Sequence, residues 1–280
     1  MKSTRIAAFA IASVFLLGSC DAILGFNLFE GMAQAGVVDN IRDAETAEDF
    51  LAESDAENFI EALEETEKVE EAITALEEVY APSDPSAPPA APTDVQEAAA
   101  VAAEIIIYTS PAGEVVDNII EVAAGNPAAL EVDNPAGLIR AIIPPEISGD
   151  PVAFEETILA FLDAWEAYAA LGESIVGGAL STDAVVAGDL VIAAAIGAAL
   201  DALVTAQIGE PPVMTYEEAR DDIILALFDA ANGGTPALPE FATVTQDGSE
   251  IPTFLADGSP LANILLAAGI DTSTFTDGGA

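Results

Sequence analysis

One thiol, no imidazole and 49 carboxylates in 280 residues set the chemistry open to these side chains. Without histidine, and with Cys20 the sole cysteine, neither a Ser-His nor a Cys-His nucleophile can be assembled. The usual zinc, haem and iron-sulfur ligand sets are out of reach for the same reason. No G-x-S-x-G turn occurs, and Lys68 sits among glutamates rather than in an apolar setting that would depress its pKa. The glycine pairs Gly177-Gly178 and Gly233-Gly234 belong to no phosphate-loop pattern, and the second, following Asn232, reads as a helix stop. Carboxylates alone can form a glycosidase pair or a calcium site, but no calcium loop with spaced ligands around a central glycine is present. No catalytic, cofactor-binding or metal-binding residue is therefore assigned. Weak, nonspecific divalent-cation binding is all that so acidic a surface leads one to expect.

Cys20 remains. Ahead of it stand Lys2 and Arg5, an apolar run from Ile6 to Leu17 broken only by Ser13, and the small residues Gly18 and Ser19. That is the layout of a secretory signal. As a helix the run is about 18 Å long at ~1.5 Å per residue, short of the ~30 Å a bilayer core requires, so residues 1–19 read as a processed signal peptide. Leu17-Gly18-Ser19-Cys20 resembles the lipobox of bacterial lipoproteins. The resemblance implies that the Cys20 thiol receives a diacylglyceryl group, that cleavage falls before it, and that Cys20 becomes a lipidated N-terminus. Two or three acyl chains, as that family carries, make such an anchor effectively permanent at ~0.8 kcal/mol per buried CH₂. The implied address is the bacterial cell envelope, with the chain tethered through its acyl chains on a periplasmic or extracellular face.

Lys2 and Arg5 would leave with the signal, so Arg42, Lys68, Arg140 and Arg220 face all 49 acids alone. High net charge usually accompanies disorder only where hydrophobicity is low, and here the hydrophobic fraction is 52% and the mean hydropathy +0.43. The chain is expected to fold. Self-repulsion on its surface calls for counter-ions, and the scarcity of lysine beside abundant alanine resembles proteins of halophilic bacteria. Nucleic acid is excluded as a partner, since no basic patch exists to displace phosphate counter-ions.

The spacing of apolar residues predicts an all-α fold: an irregular multi-helix bundle with one short C-terminal β-hairpin. Residues 20–53 read as a lipid-proximal tether and weak helix. Residues 54–81 read as one long amphipathic helix, opened by a Ser54-to-Glu57 capping box and running through Phe59, Leu63, Val69, Ile73, Leu76 and Tyr80. Five prolines make 82–93 a linker that interrupts the helix. The main helical domain spans 94–270, and its helix starts are marked chemically. Thr93 with Gln96 and Thr215 with Glu218 form capping boxes. Ser110, Asn126, Asn134, Asp150 and Ser259 each place a cap residue before proline. Strand-forming residues on either side of Asp247-Gly248 predict a hairpin over 241–255. Residues 271–280 read as a flexible tail.

Two helices bear on function. Ile158, Phe161, Leu162, Trp165 and Tyr168 make one apolar stripe, and the Ala-rich segment 183–207 is apolar on nearly every face, with Asp189 and Asp201 too close together for a membrane span. Trp165-Glu166-Ala167-Tyr168, with Leu171-Gly172, also resembles the first helix of a tetratricopeptide repeat, but no 34-residue period accompanies it and the stripe is read as core. The expected function is non-enzymatic binding of an envelope protein or a small ligand. The alternative is a solute-binding component of a periplasmic transport system, with a ligand pocket at Phe161, Trp165 and Tyr168 between these two helices. A carboxylate-only hydrolase is a third class.

Overall fold

Of the marked helix starts, Ser110, Asp150, Thr215 and Ser259 each have a side chain that satisfies an orphan backbone N–H. The computed structural model describes residues 37–56, 58–125, 135–175, 188–209, 212–246 and 249–270. Cys20 and its lipobox, the Asn126 and Asn134 caps, the Asp247-Gly248 turn and the tail lie outside the described residues.

Among the described residues four helices precede the proline run: α1 (Val37–Asp43), α2 (Ala47–Leu51), α3 (Phe59–Glu65) and α4 (Val69–Tyr80). The helix expected over 54–81 is thus two helices and a turn. Glu67 at φ 57° is the cause. With Glu67 in the left-handed region, the Lys68 N–H reaches the Leu63 carbonyl at 2.9 Å and the Glu67 N–H reaches that of Glu64 at 3.2 Å. These are the two bonds of a Schellman stop, built here without glycine. Lys68 Nζ then donates to the Ala44 carbonyl at 2.9 Å, a long-range contact that holds the break. Glu57, the partner in the expected Ser54 capping box, lies outside the described residues; the Ser54 hydroxyl donates backward to the Leu51 carbonyl at 2.9 Å. Thr46 and Asp49 form a capping box that opens α2.

Beyond the prolines come α5 (Pro92–Tyr108), α6 (Ala112–Gly125), α7 (Pro135–Ile142), α8 (Pro145–Ser148), α9 (Pro151–Ser174), α10 (Gly188–Ile208) and α11 (Tyr216–Ala231). The chain then forms β1 (Thr243–Gln246), β2 (Ser249–Pro252), a 3₁₀ turn over Thr253–Leu255, and α12 (Pro260–Ala267). Asp150 accepts from the Val152 N–H, Ser259 from that of Ala262, and Thr215 closes its box with Glu218. Thr93 does not cap: Pro92 already opens α5, and the buried Gln96 instead donates to the Ser174 carbonyl at 3.2 Å. Asn263 does the same for the Gly172 carbonyl at 3.0 Å, so two amides satisfy the C-terminal end of α9. Gly233, at φ 92°, ends α11 as the Asn232-Gly233-Gly234 sequence predicts.

The fold is all-α with one short antiparallel hairpin, in which Thr243 faces Pro252 and Gln246 faces Ser249. The second strand is shorter than expected, because the backbone turns into the 3₁₀ segment after Pro252. The long helix α9 is the hub. It packs against α5, α10 and α12, while α5 carries α4 on another side. One core runs through all of them, from Val37 and Phe50 to Phe154, Leu200 and Leu265. By length and composition α10 is apolar enough to cross a membrane, but 61% of that window is buried inside the bundle. It is a core helix, as a segment apolar on nearly every face predicts.

Candidate functional site

Alpha helices that share a neighbour without packing on each other leave a groove above it. Both α4 and α9 pack extensively on α5 but touch one another only lightly. Between them opens a cleft of about 450 Å³. From α4 the turn-spaced residues Ile73, Glu77 and Tyr80 line it, and Ile106, Thr109 and Ser110 at the end of α5 form its base. The opposite wall is one stripe of α9, Glu156, Leu159, Ala160, Asp163 and Glu166, at the three- and four-residue intervals that place residues on one helix face.

Apolar groups and carboxylates thus share one concavity. Tyr80, from α4, lies within the field of both Glu77 and Glu166, and burial first, then those two carboxylates, pushes its hydroxyl up to about 12. It stays a neutral phenol. Burial raises Asp163 above the ordinary aspartate value, with Arg220 of α11 opposing. Glu166 is raised as well, by burial first and then by Asp163, Glu77 and Asp201. Ionised carboxylates here repel one another and lie beside low-dielectric wall, which disfavours their charge. A counter-charge in the cleft would relieve both effects.

A second polar group lies in the core. Glu104 on α5 is 7% exposed, and burial, then the charges of Asp189 and Asp55, pushes its carboxyl up to about 8. Tyr108 donates to Asp189 at 2.7 Å. The Tyr168 hydroxyl, fully buried and within the field of both Glu104 and Asp189, has no hydrogen-bond partner. None of these residues lines the cleft.

The three residues named from sequence as a ligand pocket are placed elsewhere too. Phe161 and Tyr168 are each 1% exposed and Trp165 is half-buried against the core. Where Trp165 meets α10, the helices touch: a Cβ on Gly197 would stand 2.7 Å from the Phe161 carbonyl oxygen and 2.9 Å from Trp165 Cβ. The cleft lies on the other side of α9; the sequence places Tyr80 only on the apolar face of its helix and marks none of Glu77, Asp163 and Glu166 as a site residue. Their signal was the second stripe of α9, where acids alternate with Leu159 and Ala160 at helical spacing. Among the described residues no group of three or more His, Cys, Asp or Glu is arranged to hold a metal ion.

Comparison with protein-family models, with curated proteins and with solved structures finds no match for this chain. Its function has to be argued from its own residues.

Proposed function

We propose that the chain is a lipid-anchored lipoprotein of the bacterial cell envelope that acts without catalysis, by binding a ligand or another envelope protein. The observation that carries this reading is the placement of the sole cysteine, Cys20, directly after the apolar run and the small residues Gly18 and Ser19. A thiol fixed there, with no histidine anywhere to activate it, suits acylation better than nucleophilic catalysis. The folded part supplies the second half of the argument. The cleft combines apolar side chains, Ile73, Ile106, Leu159 and Ala160, with polar and acidic ones, and its volume of about 450 Å³ falls within the ~300–1,000 Å³ that small-ligand sites occupy.

Small-ligand binding is favoured over hydrolysis because the carboxyl most strongly held protonated, Glu104, is in the core and not in the cleft. The solute-binding alternative is also served by the cleft on the Asp163 side of α9. The strongly acidic surface supports a saline habitat, where counter-ions screen it.

The test is fractionation of cells producing wild type and Cys20→Ser. Wild type is expected in the membrane fraction and extractable by detergent only, whereas Cys20→Ser should lose that acyl-dependent partitioning. Identical fractionation of the two would contradict the anchor.

A further inference from the structure

We propose that the cleft between α4, α5 and α9 binds a small amphipathic organic cation, with an apolar body seated on Ile106 and Leu159 and its positive group at the carboxylate rim to which Glu77, Asp163 and Glu166 contribute. The inference rests on the binding reading above and names the ligand class for it. Size is the first argument, since about 450 Å³ admits a small organic molecule and greatly exceeds a bare ion.

Charge is the second. No lysine or arginine lines the cleft. Among the described residues, the side chains of Glu77, Asp163 and Glu166 make no hydrogen bond or ion pair with the protein. Arg220, whose field reaches Asp163, is itself bonded to Asp221 at 3.0 Å. The rim therefore carries negative charge that no protein group neutralises at contact distance. Tyr80 adds an aromatic ring within the fields of Glu77 and Glu166, and a ring face attracts an organic cation further once it is partly desolvated.

Other occupants fit less well. An anion meets like charge. A neutral apolar molecule would strip water from the carboxylates and return nothing for it. A bare metal ion gains nothing from the apolar base and lacks a three-carboxylate ligand group. A second copy of this chain brings a net charge of −43 to an already negative rim.

The probe is dansylcadaverine, an arylsulfonamide body ending in one ammonium, titrated into the full chain as isolated and read by fluorescence against a protein-free blank of the same buffer and lipid. Its N-acetyl derivative keeps the body and loses the charge. The variants are Glu77→Gln/Asp163→Asn/Glu166→Gln and, as a match for net charge, Glu61→Gln/Glu64→Gln/Glu65→Gln on exposed positions of α3. Circular dichroism establishes that both remain helical.

Saturable binding of the cation is expected, weakened about tenfold or more by acetylation and by the cleft variant, and less than about twofold by the α3 variant. Equal loss in the two variants would mean a diffuse surface-charge effect and overturn the site. So would equal affinity for the acetylated probe, or no saturable binding at all. Those results concern the cleft alone: a chain that fails them while still partitioning to membranes through Cys20 leaves the lipoprotein reading intact.

Discussion

Glu104 is the residue at which charge and burial conflict most. Its carboxyl is pushed from 4.5 up to about 8 in the folded chain, chiefly by burial. A raised carboxyl pKa means that the native state holds a proton the unfolded chain gives up, so its contribution is fully present below about pH 4.5. It is lost progressively as pH rises through about 8. Asp117, Asp163 and Glu166 are raised in the same direction and deepen the trend. Denaturant unfolding at pH 5 and pH 9 should therefore show wild type losing stability at the higher pH. Glu104→Gln, which keeps the shape and removes the ionisation, should gain on the order of a few kcal/mol over wild type at pH 9 and little at pH 5. A variant whose pH profile matches wild type would mean that Glu104 ionises without cost. The Tyr168 hydroxyl beside it, left without a partner, is a further cost in the same part of the core.

Among the elements, helix contacts set by single glycines decide how close α9 lies to its neighbours. Gly197→Ala adds a methyl against the Phe161 carbonyl and Trp165 Cβ. The gain in helix propensity, up to ~1 kcal/mol, is outweighed by an overpacking cost of about 1–3 kcal/mol, so a net loss of about 1–2 kcal/mol is expected in denaturant melts. Gly172→Ala should cost more, because the added carbon would stand closer to the Pro260 carbonyl oxygen than the 2.7 Å to the Phe161 carbonyl oxygen at Gly197. If Gly197→Ala were as stable as wild type, α9 and α10 would not be in the close contact described. Elements of this kind were legible where the information was local. Asp150, Thr215 and Ser259 cap their helices as their side chains dictate, and Gly233 stops α11 because it alone of the common residues takes positive φ freely. The break at Glu67 was not legible, since Thr66-Glu67-Lys68 contains neither glycine nor proline and is fixed by Lys68 reaching Ala44, 24 positions away. The cleft was hidden for the same reason: Tyr80 and Glu166 are far apart in the chain and share a cavity only because α4 and α9 both settle on α5.

At the scale of the whole molecule the dominant fact is 49 acids against 6 cations. Of the cations in the described structure, Arg42 pairs with Asp39 at 2.6 Å, Lys68 with Glu71 at 2.7 Å and Arg220 with Asp221 at 3.0 Å, all with carboxylates three or fewer residues away in sequence. Such local, largely exposed pairs are each worth roughly 0–1 kcal/mol and leave the mutual repulsion of the remaining acids in place. Salt has to do that work, since the Debye length falls from about 10 Å at 0.1 M to about 3 Å at 1 M. Melting temperature should thus climb steeply from low salt to molar sodium chloride. A flat curve would show that repulsion is not what limits this fold and would remove the case for a saline habitat. Salt of that strength should equally weaken any cation held at the rim of the cleft.

The central claim, that a lipid at Cys20 ties this helical bundle to a bacterial envelope, is tested most directly by mass spectrometry of the N-terminal peptide from the protein isolated from its own cells. The account predicts a peptide that begins at Cys20 and carries the mass of a diacylglyceryl group, with or without a further acyl chain. An exported protein that still begins at an unmodified Met1, with a free thiol at position 20, would contradict it.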